Sequence, residues 1–203
     1  MKTIKSIAKK IVYPCIMINS LLQVKLRSYS GNKLEIGSGP IKKKGWITLD
    51  RSIGAEIFWD LNRKLPFPDG RFEMIYSSHV LEHFSYKELK KLLSELYRVL
   101  EPGGIMSVCV PDASIYIALY NAKKKSNDFT NYQPAFISER PMDILNYLFY
   151  MDGQHKHMFD FDSLTHHLLS AGFIDCKLRD FDPSLDSSSR HNGSLYAECR
   201  KPQ

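Results

Sequence analysis

Short apolar runs alternate along most of the chain with longer segments of helical periodicity. Leu34-Glu35-Ile36 reads as a strand ending in Gly37, Trp46–Leu49 as a second ending in Asp50, and Ala55–Trp59 as a third ending in Asp60. Phe72–Tyr76, which runs into Ser77-Ser78, and Ile105–Val110, stopped by Pro111, continue the series, and Phe173–Phe181 and Ser194–Cys199 close it. Between them lie helical patterns with clear punctuation. Ser85-Tyr86-Lys87-Glu88 is a capping box, Leu89, Leu92, Leu93, Leu96 and Leu100 recur on one face, and Pro102-Gly103-Gly104 is the expected stop. Asp162 opens a second helix running to Ala171, with Gly172 as its terminator. Strands interleaved with helices predict an α/β fold with a parallel sheet.

Two regions depart from that rhythm. Pro111 to Asp160 is longer than an ordinary connection, is rich in aromatic residues, and predicts helices over about residues 113–124 and 142–151. Long insertions after a strand's C-terminal end tend to be functional loops or lids, so residues 111–160 read as a helical lid. At the N-terminus, Ile4, Ile7 and Ile11 form a helical stripe with Lys5 and Lys9 off it, and the pattern restarts after Pro14 through Leu26. Residues 1–30 therefore read as an amphipathic helical segment preceding a single domain over 31–203.

Composition narrows the picture only slightly. With 203 residues, 43% hydrophobic and 25% charged, the chain suits one domain with a full core and excludes disordered and collagen-like classes. The formal net charge of +6 suits an anionic partner, whether nucleic acid, a nucleotide-linked substrate or an acidic membrane surface. Much of it sits in the first 30 residues and in Lys42-Lys43-Lys44. Cys15, Cys109, Cys176 and Cys199 show no C-x-x-C spacing, which fits free thiols in a reducing cytoplasm. The apolar run from Ile11 to Leu22 is too short, and too interrupted by Pro14, Asn19 and Ser20, to span a bilayer.

The chemistry begins at the strand ends. Gly37-Ser38-Gly39 follows the first strand, where glycine lets the backbone turn sharply and approach a ligand, and this first turn of a doubly wound sheet is a nucleotide-cofactor site. The dinucleotide fingerprint is not completed, because its last position is Lys42; this disfavours a nicotinamide-dependent oxidoreductase. Asp50 stands where a carboxylate can accept both hydroxyls of an adenosine ribose, and Asp60-Leu61 where they can reach an adenine.

The stretches LEIGSG, GWITLD, WDLNRKLPFPDGRFEMIYSSHVLEHF, LYRVLEPGGIMSVCVPD and LLSAGF together resemble the class I S-adenosylmethionine-dependent methyltransferases, especially small ones linked to sugar and cell-surface polysaccharide chemistry. The resemblance runs from about Leu34 to Phe173. It implies a Rossmann-like, mostly parallel sheet with a final antiparallel strand, S-adenosylmethionine as cofactor, and methyl transfer to a small-molecule acceptor such as a sugar hydroxyl. It implies that Glu35, Gly37, Ser38 and Gly39 cradle the methionine part, that Asp50 with Arg51 holds the ribose, that Asp60 and Leu61 flank the adenine, and that Ser78 and His79 line the region near the sulfonium. Protein or RNA methylation and a non-catalytic scaffold stay open as alternatives, although no RNA-binding module is recognisable and nucleic acid is not the expected partner.

Three further readings follow. His155 and His157, at the end of the lid, are two apart and would face one cavity if extended, as a base or a substrate ligand. Arg190 and His191 would sit at the rim of the site, the guanidinium suited to a phosphate or carboxylate. His79-Val80-Leu81-Glu82-His83 matches H-x-x-E-H, a metal-binding pattern on a helix. No downstream third ligand is evident, so no metal is expected and His83 reads as a hydrogen-bonding residue. Finally, only Ser38–Gly45 and Arg51–Gly54 separate the first three strands, too little for helical crossovers. The early crossovers are shortened, and the N-terminal segment is expected to cap the sheet or form a homodimer contact; its rival is peripheral attachment to anionic lipid.

Overall fold

The computed structural model describes residues 14–22, 24, 31–52, 54–123 and 140–203. Residues 14–22 are helical (α1). Then come β1 (Lys33–Ile36), β2 (Trp46–Asp50), β3 (Ile57–Phe58), β4 (Phe72–Ser78), α2 (Tyr86–Val99), β5 (Leu100–Pro111), α3 (Ala113–Asn121), α4 (Pro141–Tyr150), α5 (Phe161–Ser170), β6 (Ile174–Leu178) and β7 (Ser194–Arg200). Single 3₁₀ turns occupy Leu81–His83, Met151–Gly153 and Ser188–Gly193. The strands form one sheet in the order β3-β2-β1-β4-β5-β7-β6. β1, β2, β3, β4 and β5 run parallel, and β7 is antiparallel to both its neighbours. This is the Rossmann-like α/β sheet expected, with one reversed strand near its end.

The register explains why the strand ends matter. Ile36 pairs with Leu49 and with Ser77, and Ser78 pairs with Cys109. Parallel pairing therefore brings Gly37, Asp50, His79 and Pro111 to one edge of the sheet. β7 runs the other way, so Ser194, at its start, joins them by pairing with Pro111.

In the main core cluster, Leu89, Leu92, Leu93, Leu96 and Val99 of α2 and Leu164 and Leu168 of α5 pack on the strands. Among the described residues no helix joins β1 to β2 or β2 to β3. Met17, Leu21 and Val24 from the N-terminal region are half-buried against the same core, so this part of the N-terminal segment lies on the fold itself. The stripe at Ile4, Ile7 and Ile11 lies outside the described residues. Among the described residues no helix is long and apolar enough to cross a membrane.

Several boundaries differ from the sequence reading. α2 ends at Val99, before the Pro102-Gly103-Gly104 stop, and Leu100 already pairs with Phe72 as the first residue of β5. α5 is capped by Asp160, whose side chain accepts from the Ser163 amide at 2.8 Å, and Asp162 sits in its first turn. β3 shrinks to two residues and β6 to five. α3 and α4 form where the lid helices were expected, packing Tyr116 against Ile144 and Leu148.

Candidate functional site

The turn after β1 is built on two glycines with left-handed backbones, Gly37 at φ +69° and Gly39 at φ +63°. A Cβ on Gly37 would overlap Val80 Cγ2, whereas a Cβ on Gly39 would meet nothing within 4 Å. The first glycine is needed for packing, and the second leaves open space beside the backbone. Asp50 ties this turn to β2. Its Oδ2 accepts from the Gly39 amide at 3.0 Å and its Oδ1 from the Ser52 amide at 2.6 Å. Each carboxylate oxygen keeps a lone pair for another donor.

Around that centre the expected cofactor residues divide. Arg51 and Asp60 line a small cleft of about 80 Å³ with Met17 of α1. Leu61 does not face it; it lines a separate basic groove with Lys64, Lys87 and Lys90. Glu35 is half-buried, and burial, against the attraction of Lys43, raises its carboxyl above the usual range. The Ser38 hydroxyl donates to the Gly39 carbonyl at 3.2 Å. Ser78 and His79 end β4, His79 in a left-handed backbone at φ +53°, an uncommon conformation for a non-glycine residue.

Next to His79 lies a cavity of about 240 Å³. Its walls are His79, Glu82, His83 and His155, the apolar surfaces of Pro111, Tyr116, Leu148 and Met151, and Arg190 with its neighbours Ser189, Asn192 and Gly193. The segment around residues 154–159 builds part of this wall. The Lys156 and His157 amides donate to the Glu82 carbonyl at 2.8 and 3.1 Å, and the Ala113 amide donates to the Phe159 carbonyl at 2.8 Å. Those backbone bonds carry His155 to the Leu81–His83 turn across more than seventy residues of sequence.

The two lid histidines are separated. His155 faces the cavity, its Nδ1 2.6 Å from the Leu148 carbonyl, so Nδ1 carries the proton and Nε2 the lone pair of the neutral ring. His157 is turned away, stacked on Phe159, with Nε2 3.2 Å from His167 Nε2. It is a packing residue and not a cavity one: the consecutive Lys156 and His157 amides both bond the Glu82 carbonyl, so the segment is not regularly extended there and the two-residue period that would place both rings on one face does not hold. The rim pair splits likewise. Arg190 lines the cavity, while the His191 ring rests on Phe181 and Tyr196.

Burial governs the electrostatics. His79 is pushed down to about 3, chiefly by burial and then by the charge of Arg190, and stays neutral at ordinary pH. Ser194 has one hydroxyl proton and donates it to the Arg190 carbonyl at 2.7 Å. The His79 Nε2–H must therefore donate to the Ser194 oxygen at 2.9 Å, leaving Nδ1 unprotonated. Glu82 is 1% exposed, and burial pushes its carboxyl up to about 8. Neither of its carboxylate oxygens has a hydrogen-bond partner.

One supporting device was not read from the sequence. Arg179 grips Asp186 through two hydrogen bonds, 2.6 and 2.8 Å, while the Tyr76 hydroxyl and the Asp182 amide donate to the same carboxylate at 2.8 Å each. This buried clasp pins the segment before β7, and with it Arg190, to the sheet. Only the mixture of Arg and Asp in Arg179–Asp186 hinted at it, and spacing alone could not choose the partners.

Comparison with known proteins bears on the fold and the domain family. Residues 58–108 match the family model of a methyltransferase domain. A ubiquinone/menaquinone biosynthesis C-methyltransferase of Neisseria gonorrhoeae is 27% identical over 165 residues, covering 75% of this chain and 62% of that protein. The chain thus spans less than two thirds of the length of that curated relative. A probable tRNA methyltransferase 9B of Mus musculus is 38% identical over 65 residues, 32% of this chain and 14% of its own length. Among solved structures, a phosphoethanolamine N-methyltransferase 2 of Haemonchus contortus, in complex with phosphomonomethylethanolamine and S-adenosylhomocysteine, is similar with a TM-score of 0.54 at 14% identity, covering 91% of this chain and 52% of that one. An S-adenosylmethionine-dependent methyltransferase of Thermotoga maritima gives 0.53 at 18%, covering 98% and 96%. The fold is that of these methyltransferases.

Proposed function

We propose that this chain is an S-adenosylmethionine-dependent methyltransferase whose acceptor is a small molecule, a hydroxyl of a sugar or glycoconjugate precursor. The observation that carries the reading is the link between Asp50 and the Gly39 amide at 3.0 Å, which sets a carboxylate with spare lone pairs beside an open glycine turn. The residues fit the cofactor. The turn would hold its methionine part, Asp50 its ribose hydroxyls, and Asp60 its adenine side. When bound, S-adenosylmethionine supplies an electrophilic methyl group.

The protein's part is alignment and exclusion of water. The acceptor would occupy the cavity beside His79, with Pro111, Tyr116 and Leu148 covering its apolar faces. Arg190 at the rim offers a planar fork to a phosphate or carboxylate, which suits a charged precursor. The free Nε2 of His155 serves as a base toward the acceptor hydroxyl or as a ligand atom in the wall. A cavity of about 240 Å³ with polar and apolar walls suits this acceptor class better than a macromolecule.

Calorimetry tests the reading directly. The full chain should bind S-adenosylmethionine and not NAD. Asp50→Ala removes two charge-assisted hydrogen bonds to the ribose, worth roughly 1.5–3 kcal/mol each before water compensates. Unchanged affinity in that variant would remove Asp50 from the site, and no binding to the wild-type chain would end the methyltransferase reading.

A further inference from the structure

The cavity wall contains a group that the methyltransferase reading leaves unused. Glu82 is buried, aimed into the cavity, and has no partner for either carboxylate oxygen. A buried carboxylate without a partner is costly unless something charged completes it. Three imidazoles surround it. His79 Nδ1 is 3.6 Å and His83 Nε2 4.0 Å from Glu82 Oε1, and the ligand atoms of Glu82, His83 and His155 all lie within 4.8 Å of one another.

The tautomers agree. His83 Nδ1 stands 3.0 Å from the Gln154 carbonyl and His155 Nδ1 2.6 Å from the Leu148 carbonyl, so each ring donates Nδ1–H to backbone and turns an Nε2 lone pair inward. Metal-binding histidines are oriented by such bonds. His79, held by Ser194, presents its unprotonated Nδ1 to the same carboxylate oxygen. With metal–ligand bonds of about 2.0–2.2 Å, tetrahedral ligand atoms are about 3.4 Å apart, so closing on an ion requires side-chain movements of up to about 1.4 Å from the observed spacing.

We infer that Glu82, His83 and His155, with His79 as the fourth ligand, form a binding site for a divalent first-row transition-metal ion. Imidazole and carboxylate donors suit zinc and its neighbours and not magnesium or calcium. The H-x-x-E-H pattern carries three of the ligands, and the lid return supplies the one that no sequence spacing could reveal. The second part of the inference rests on the methyltransferase reading. A ligand set facing the cavity would let the ion take an acceptor hydroxyl oxygen as a further ligand and lower its pKa, so that the proton passes to solvent water as the oxygen attacks the methyl group, with His155 acting as a ligand and not as the base.

The test uses the full chain, stripped of metal by a chelator and titrated with Zn²⁺ alone. One equivalent should bind, raise the melting temperature, and be replaceable by Co²⁺ with a visible tetrahedral absorption band. His83→Ala, at a half-exposed position that spares folding, should weaken binding by at least about 10–100-fold, the range lost with even an orienting group. His155→Ala and Glu82→Gln should do the same, and His166→Ala, on the exposed surface, should not. Absence of stoichiometric binding, or His83→Ala binding like wild type, overturns the site. S-adenosylmethionine affinity measured on the same metal-free samples reports separately on the methyltransferase reading.

Discussion

Replacing Gly37 by alanine adds a Cβ that overlaps Val80 Cγ2 on a backbone at φ +69°. The left-handed conformation costs a side-chain-bearing residue about 1–2 kcal/mol. Forcing a methyl group into a packed contact adds about 1–3 kcal/mol. Val80 is buried in the core, and the two terms add to about 2–5 kcal/mol. In a chain of this size that lowers the melting temperature by roughly 4–20 °C. Gly39→Ala carries the backbone term alone, because its Cβ meets nothing. Its melting temperature should fall less, but the added methyl enters the open space proposed for the cofactor, weakening S-adenosylmethionine binding by about 1–3 kcal/mol, roughly 5- to 150-fold. Differential scanning calorimetry and titration calorimetry on both variants separate the roles, and Gly37→Ala with Val80→Ala should recover the steric part only. The reasoning fails if Gly37→Ala melts like wild type, or if Gly39→Ala binds the cofactor unchanged.

Other outcomes follow from the same geometry. Arg179→Ala leaves Asp186 buried without its cation and should cost about 3–5 kcal/mol in urea unfolding; a loss below 1 kcal/mol would show the clasp to be unimportant. Burial works to raise the Asp186 carboxyl, but the Arg179 pair, the Asp182 amide and the Tyr76 hydroxyl outweigh it and hold the carboxyl below its ordinary value. Its stabilising contribution is therefore complete above the unfolded pKa of about 3.9 and disappears as pH falls through the lower folded value. In Arg179→Ala burial is no longer opposed by the cation, so the Asp186 carboxyl rises and its penalty is relieved on protonation; the stability gap to wild type should be largest near neutral pH and narrow steadily as pH falls, and a gap that widens towards acid pH would contradict the assignment. Deleting residues 1–24 uncovers the core beneath Met17, Leu21 and Val24 and should lower the melting temperature. An unchanged value, with liposome binding lost, would favour the membrane-surface alternative for this segment.

The sequence was most legible where one residue's local chemistry decides its position. Gly37, Asp50 and His79 sit at strand ends, and parallel pairing brings strand ends together whatever the connections do. The capping box at Ser85 and Glu88 also formed, with the Ser85 amide and hydroxyl both donating to the Glu88 carboxylate. Legibility ended where long-range backbone bonds decide. Alternation along the 154–159 segment predicts that His155 and His157, two apart, share a face if the segment is extended, whereas only His155 lines the cavity. That is set by the Lys156 and His157 amides on the Glu82 carbonyl. The Glu82–His155 encounter and the Arg179–Asp186 clasp depend on such contacts and leave no periodic trace. The α2 boundary shifted for a similar reason: Leu100 fits the helix's apolar face, but pairing with Phe72 drew it into the strand.

The sheet ends in β3 on one side and β6 on the other. An open strand edge is a template for another chain, and long, flat edges aggregate. β3 has only two residues, too few to seed a ladder. β6 is longer and exposes Ile174 and Leu178, but its register slips between Ile174 and Lys177, and Asp175 takes a left-handed backbone at φ +54°. Lys177 adds a charge on that strand, paired to Glu198 at 3.5 Å. Both rims of the sheet are thus blunted against edge-to-edge stacking, one by brevity and the other by a kink and a lysine. Straightening the second rim, by removing that kink and that charge together, is the change that would turn this chain toward fibrils.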